Sequence, residues 1–422
     1  MILENKKDLK SFLNDFKTKD CIIIPIKEDT NKHPQQTGLS LLYFDFFGKE
    51  YVLPINHNES VNIDLPNLKS NTKKYTNNKN KLLHLLDLEN VIDVNMIHYM
   101  KSGEPIDFEE CETNAHSFLN MKYYKKTDVN TVIPILKHVD RCRRYIKILK
   151  DIIEKSGDYV NMSYNDEVSD NLLHIEKNGL MTTTGYVFSE YNLFTSTGRP
   201  SNRFGGINFA ALNKKDGSRE RFISRYKNGV LVEMDFDAYH LRLIADKIDY
   251  EFPQGSVHEH MAKFYGVGYE EAKGLSFQYL YGHIPQDVIE INPYFFKVDE
   301  YIRGLWNIYK NNDFIESDIY KRQIFKRNLK DMNANKLFNY TIQLMETENN
   351  MKALSALIPK LTKYETKLIL YSYDSFLFDF NMSDGLDCLK EIKTTLEQEK
   401  YPVKVSWGIN YHEMKDITER FK

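Results

Sequence analysis

The sequence predicts an α+β protein that opens with a small α/β unit. Three observations lead there. Hydrophobic residues make up 41% of the 422, which is enough for a large core and argues against a disordered chain. Up to about residue 105, apolar β-branched runs are punctuated by Pro, Gly and Asn. From Phe194 to Lys422, short strands with sharp turns alternate with long amphipathic helices. No internal repeat interrupts this order, and the length suggests roughly two to four domains.

The elements follow in chain order. Cys21–Pro25 reads as a buried strand. Ser40–Phe47 and Tyr51–Ile55, joined across Gly48, read as a hairpin. Asn67–Lys81 is rich in Asn and Lys and reads as an exposed loop. Leu82–Met100 reads as helix, or as strand followed by helix. Residues 106 to about 190 read as mainly helical and basic. Within them, Lys137–Lys150 reads as a helix with Ile146 and Leu149 facing inward. Its cations suit a polyanion, and they suit an ordinary solvated helix face equally well.

Composition excludes several classes. The net charge of −3 gives no global basic field, so a nucleic-acid partner would have to be held by local stripes of Lys and Arg. The cysteines Cys21, Cys111, Cys142 and Cys388 form no CxxC pair. Neither a zinc site nor a disulfide framework is expected, and a reducing cytoplasm fits. The N-terminus has no apolar signal core, and no run approaches the roughly 18 apolar residues of a membrane span.

Chemistry concentrates in two segments. In Gly229–Asp246 a β-branched run, Val230–Met234, ends at Asp235, and from Tyr239 the period turns helical. That places a carboxylate where a buried strand stops. In Lys367–Phe380 two apolar runs flank Tyr373-Asp374-Ser375, a hairpin with Asp374 at its tip. The two aspartates lie 374 − 235 = 139 residues apart, which leaves room for a helical insertion. Paired strands would make them converge and repel unless cations sit between them. Mg²⁺ accepts a few carboxylates together with phosphate oxygens and water, and two such ions drive in-line phosphoryl transfer. Read singly, Asp235 is also a helix N-cap and Asp374 a turn residue.

Between them lies Tyr269–Gly282. Lys273, Phe277 and Tyr281 are spaced by four, so they drift only about 40° per step and share one helix face. Gly282 is placed to end the helix. A cation followed by two aromatics suits phosphates, sugar and base. A core stripe with a snorkelling lysine would read the same way.

Taken in order, these residues resemble the family A DNA polymerases over roughly 190–422. Thr195–Asn202 is similar to the family's T-x-T-G-R segment, and Asp235–Arg242 to its D-Y-S-Q-I-E-L-R motif. Val257-His258 resembles its I-H pair. Lys273, Phe277, Tyr281 and Gly282 resemble its nucleotide helix. Asn339–Gln343 resembles its N-x-x-x-Q helix, Tyr373-Asp374 its H-D-E hairpin, and Val403–Glu413 its C-terminal segment. Each motif alone is weak, whereas the ordered set is specific.

The resemblance implies a right-hand polymerase: an antiparallel palm sheet at 191–246 and 346–422, helical fingers at 247–345, a helical thumb at 106–190, and a reduced exonuclease-like domain at 1–105. It implies addition of dNTPs to a primer 3′-hydroxyl on primer–template DNA, with two Mg²⁺ ions for which Mn²⁺ can substitute. Asp235, Asp374 and the Phe236 carbonyl would hold the metals. Lys273 would contact the triphosphate and protonate pyrophosphate, and His258 would reach the phosphates. Phe277 would pack on the sugar, Tyr281 would hold the templating position, and His240 would stand at the ribose 2′ side. Arg199, Asn339, Gln343 and Arg242 would meet primer and template. The composition suits a viral enzyme of the host cytoplasm, with any accessory proteins unknown.

The chain also departs from the family pattern. His240 stands where the family usually has a glutamate, Ser375 replaces the hairpin glutamate, and Tyr269 replaces an arginine that Lys263 could offset. Asp87-Leu-Glu89 is the one obvious nuclease-like D-x-E in the N-terminal unit, and active proofreading is not expected. Two rival readings stand beside this one: a non-catalytic DNA-binding protein derived from a polymerase, and a single-subunit RNA polymerase.

Overall fold

The computed structural model describes residues 1–108, 129–157 and 163–421. Cys111 and parts of the expected thumb, 109–128 and 158–162, lie outside the described residues. The chain divides into two compact units, Met1–Lys177 with Phe204–Ile207, and Asn178–Arg203 with Asn208–Lys422.

The first unit is a five-stranded mixed sheet with helices. Its strands are β1 (Cys21–Lys27), β2 (Leu39–Asp45), β3 (Glu50–Pro54), β4 (Lys74–Thr76) and β5 (Val91–Asp93), in the order β3-β2-β1-β4-β5. β1 pairs antiparallel with β2 and β2 with β3, while β4 runs parallel to both β1 and β5. Nearly every residue of β1 and β2 is buried, because both faces are covered. Helix α1 (Lys6–Thr18) places Phe12 and Phe16 on one face with Phe44 and Leu53. Helices α2 (Lys79–Leu85) and α3 (Val94–Ser102) flank β5. Helix α4 (Ile135–Lys155) packs Val139, Cys142, Ile146 and Leu149 against Ile22, Ile24 and Tyr43 on the other face. Ile146 and Leu149 therefore face inward, as their spacing predicts. Helix α5 (Ser163–Asn178) follows.

One expectation here needs correction. Asn67–Lys81 is not all loop, since it contributes β4 and the start of α2. Its polar residues conceal this. The Lys74 side chain is buried and donates to the Ser70 carbonyl, and Asn78 caps α2 by accepting from the Lys81 N–H at 2.8 Å. Polar composition signalled exposure, but specific hydrogen bonds satisfied these groups inside the fold.

The second unit is built on an antiparallel sheet. β6 (Val230–Phe236) is its central strand, flanked by β8 (Ser375–Phe380) and β9 (Val403–Gly408). β7 (Lys367–Ser372) and β10 (Lys415–Asp416) complete the order β7-β8-β6-β9-β10. All four pairings are antiparallel. Between β6 and β7 the chain forms helices α6 (Tyr239–Lys247), α7 (Val257–Tyr265), α8 (Tyr269–Tyr281), α9 (Pro293–Asn311) and α10 (Ala334–Leu361). They share a core that includes Leu241, Ile244, Met261, Leu280, Phe295, Val298, Leu337 and Ile342. Helix α11 (Gly385–Glu397) joins β8 to β9. The architecture is thus α+β with antiparallel sheets. Among the described residues, no helix is long and apolar enough to cross a membrane.

Candidate active site

β6 carries Asp235 near its C-terminal end, where it pairs with Ser375 on β8 and Lys404 on β9. β7 and β8 form the expected hairpin, with Tyr373 and Asp374 in its turn. Tyr373 adopts φ +60°, a left-handed conformation that tightens the tip. The Phe236 N–H donates to the Asp374 carbonyl at 3.1 Å. The two aspartates are therefore brought together from adjacent strands, and both line one cavity of about 430 Å³.

Burial and neighbouring negative charge raise both carboxyls. Burial pushes the Asp235 carboxyl up to about 7, and the negative charges of Asp374 and Glu233 add to the shift. Asp374 is likewise raised, first by burial and then by the charge of Glu346. Two half-dry carboxylates that resist ionising together make a receptor for positive charge. Among the described residues, no three or more His, Cys, Asp or Glu side chains group as a metal site. Two carboxylates are nonetheless enough for a hard cation that takes its other ligands from carbonyl, phosphate and water oxygens. The residues present fit that group.

The turn from β6 into α6 is locally strained. Ala238 sits at φ 51° as the N-cap of α6 and makes no side-chain cap. His240 follows on the first turn of α6, and its Nδ1 meets the Tyr281 hydroxyl. Helix α8 explains how Tyr281 arrives there. Ala272, Ser276 and Leu280 form its buried stripe, which turns the adjacent stripe of Lys273, Phe277 and Tyr281 to the cavity. The Phe277 and Tyr281 rings lie parallel, 5.9 Å apart. Gly282 ends the helix, although not in the left-handed conformation that glycine often supplies. A Cβ there would lie 2.7 Å from the Gln278 carbonyl oxygen, so close backbone approach is what requires glycine.

His258, on α7, is buried beside Tyr269 and Phe277, with ring centroids 5.7 Å from each. Burial holds its imidazole below the usual range. Among the described residues, its Nδ1 has no hydrogen-bond partner. Arg199 sits in the Thr195–Asn202 segment. Gly198, at φ +69°, permits the turn, and a Cβ there would lie 1.4 Å from the Arg322 guanidinium. The Arg199 guanidinium stacks 3.6 Å from the Tyr373 ring centroid.

The cavity thus gathers Asp235, Phe236, His240, His258, Lys273, Phe277, Tyr281, Asp374 and Arg199 from the sequence-derived set. Asn339, Gln343 and Arg242 are not among its lining residues. Asn339 donates to the Tyr281 carbonyl at 2.9 Å, so it braces the end of α8. Gln343 accepts from the Thr197 hydroxyl at 3.2 Å. Arg242 pairs with Asp237 at 3.4 Å and donates to the Asp237 carbonyl at 3.0 Å.

Sequence reasoning missed three charged residues. Lys404 lines the cavity and pairs with Asp237 at 2.6 Å. Glu233 is buried under Asp235 and accepts from the Tyr411 hydroxyl at 2.9 Å. Glu346, on α10, is fully buried. Lys404 and Glu233 could have been suspected as lone charges in β-branched strands. Glu346 gave no signal, because Met345-Glu346-Thr347-Glu348 reads as an ordinary solvated helix turn.

The comparisons with known proteins bear on the fold. No protein-family model matches the chain, and no curated protein matches it. Among solved structures, it superimposes on the POL domain of Pol1 from M. smegmatis, a structure in complex with DNA primer–template and dNTP. The TM-score is 0.71, covering 98% of this chain and 100% of that one, at 12% identity. The fold is that of a polymerase domain. At that identity the likeness rests on backbone architecture, and within this polymerase fold Asp235 and Asp374 occupy the meeting point of the central strand and the hairpin turn.

Proposed function

We propose that this chain is a template-directed DNA polymerase that adds dNTPs to a primer 3′-hydroxyl by two-metal phosphoryl transfer. The observation that supports it most is the pairing of Asp235 and Asp374 at adjoining strand ends, each carboxyl raised by burial and neighbouring negative charge. Divalent cations bound there, Mg²⁺ or Mn²⁺, supply the charge that activates the attacking hydroxyl and stabilises the leaving phosphate.

The chain's own residues do the rest. Asp235, Asp374 and the Phe236 carbonyl hold the cations. The Lys273 ammonium, exposed on α8, meets the triphosphate and donates a proton to the departing pyrophosphate. His258 lines the cavity and reaches the phosphates with its imidazole. Phe277 packs on the sugar, and Tyr281 closes the templating side. His240 stands at the 2′ position. Arg199, Asn339 and Gln343 contact the primer end on faces that all correct base pairs share, which tests fit without reading sequence, and Arg242 contacts primer and template.

On this reading the palm comprises 191–246 and 346–422, the fingers 247–345 and the thumb 106–190, with a reduced exonuclease-like domain at 1–105. β1 carries no acidic residue, and Asp87 and Glu89 lie exposed between α2 and β5. Neither feature favours proofreading. A viral enzyme working in the host cytoplasm fits the compact plan.

A second reading, a non-catalytic DNA-binding protein, is favoured by Ser375 and Tyr269, which replace an acid and a cation of the family pattern. Extension of a labelled primer with dNTPs or rNTPs, under each divalent metal, separates the possibilities. Metal-dependent extension with dNTPs supports the proposal. Template binding without extension supports the second reading. Synthesis from rNTPs without a primer points to an RNA polymerase.

A further inference from the structure

Glu346 is a carboxylate with no exposed surface, one turn beyond Gln343 on α10. A buried charge of this kind persists only where cations and donors surround it. Arg199 supplies them. Its Nε stands 2.9 Å from Glu346 Oε2, and its Nη2 donates to Oε1 at 3.2 Å. The same Oε2 lies 3.4 Å from His240 Nε2, an electrostatic approach without hydrogen-bond geometry. On the other edge of that imidazole, Nδ1 meets the Tyr281 hydroxyl, with the two rings edge-on at 88°. Four side chains from four segments therefore form one line: Arg199, Glu346, His240, Tyr281.

Chemistry gives the line a direction. The negative field of Glu346 favours the tautomer with the proton on Nε2. Nδ1 is then an acceptor, and the Tyr281 hydroxyl is its donor. The buried acid thus sets which way the imidazole works, and the imidazole fixes the tyrosine. Both His240 and Tyr281 line the cavity, whereas Glu346 does not.

We propose that Glu346 is the positioning residue for sugar selection: it holds His240 against Tyr281 and so closes the pocket to a ribose 2′-hydroxyl. This rests on the polymerase reading and assigns the carboxylate function, absent from position 240, to a different helix. Without the buried acid, the imidazole is free to swap tautomer or turn, and the wall it makes with Tyr281 opens.

The test measures kcat and KM for dNTPs and rNTPs on one primer–template, together with Tm, for the wild type, E346Q, Y281F and the double variant H240E/E346Q. Glu346→Gln keeps the shape and removes the charge. The expected result is a fall of about tenfold in the dNTP-to-rNTP ratio of kcat/KM, the size of one charge-assisted contact, mainly through a lower KM for rNTPs. Tyr281→Phe, which removes only the hydroxyl at the far end of the line, is expected to lower the ratio similarly. The double variant, which moves the acid to position 240, is expected to regain it. An equal loss for both nucleotide classes in E346Q, with the ratio intact, overturns the proposal and leaves Glu346 a structural ion-pair partner. If E346Q fails to fold, an unchanged ratio in Y281F overturns it instead. A wild-type protein that extends no primer sinks the polymerase reading itself, and this proposal with it.

Discussion

The Phe236 N–H donates to the Asp374 carbonyl across 3.1 Å, tying the end of the central strand to the tip of the adjacent hairpin. This backbone bond fixes the register at which two carboxylates share one cavity. Side-chain flexibility therefore does not decide whether they meet. It also means that replacing either side chain leaves the frame intact, which makes their substitution a clean experiment.

Burial of Asp235, reinforced by the charges of Asp374 and Glu233, predicts a pH effect. Burial pushes the Asp235 carboxyl up to about 7 in the fold, from about 3.9 when unfolded. Between those values the native state binds more protons than the unfolded state, so this group's contribution to stability falls as pH rises from about 4 to 7. Asp235→Asn removes the penalty. Without metal at pH 8, the variant is expected to melt about 2–4 °C above the wild type. Added Mg²⁺ should raise the Tm of the wild type and not of the variant. Thermal scans with and without metal check both, and equal melting in all conditions would contradict the assignment.

Lys273 carries two roles that substitution separates. Lys273→Ala should raise the KM for dNTPs and lower kcat about 100-fold, the scale of a lost general acid. Lys273→Arg should recover much of the KM but little of kcat, because a guanidinium keeps its proton. Steady-state kinetics on a fixed primer–template distinguish the two. Full recovery by arginine would reduce Lys273 to a point charge.

His240 makes the pocket wall with Tyr281. His240→Ala is expected to raise ribonucleotide incorporation. An unchanged ratio of dNTP to rNTP use in a gel-based extension assay would remove His240 from the sugar site.

A stability prediction tests the sheet itself. Asp379 on β8 is fully buried. It accepts from Arg225 Nε at 2.7 Å and from the Ser224 hydroxyl at 2.6 Å. Asp379→Ala leaves the arginine without its counter-charge and should cost about 3–5 kcal/mol. Urea unfolding measures this, and a loss below about 1 kcal/mol would show that Arg225 finds another partner.

Much of the second unit was legible because local signals agreed with the tertiary outcome. Val230–Met234 reads as a strand and is one. The Lys273, Phe277, Tyr281 spacing predicts a shared face, and the three residues share the cavity. The Tyr373-Asp374 turn follows from its flanking apolar runs. What escaped was set by distant partners. Glu346 acquires its meaning from Arg199, 346 − 199 = 147 residues earlier, and no local pattern records that. Lys74 and Asn78 look solvated in sequence and are satisfied by the fold. Ala238 carries a left-handed φ that only the strand-to-helix corner imposes.

The most direct measurement is Mg²⁺-dependent extension of a labelled primer by the wild type, Asp235→Ala and Asp374→Ala, with template affinity measured in parallel. Extension by the wild type, its loss in both variants, and template binding largely retained in all three is the predicted outcome. Near-normal extension by either variant would contradict the claim that these two acids carry the chemistry.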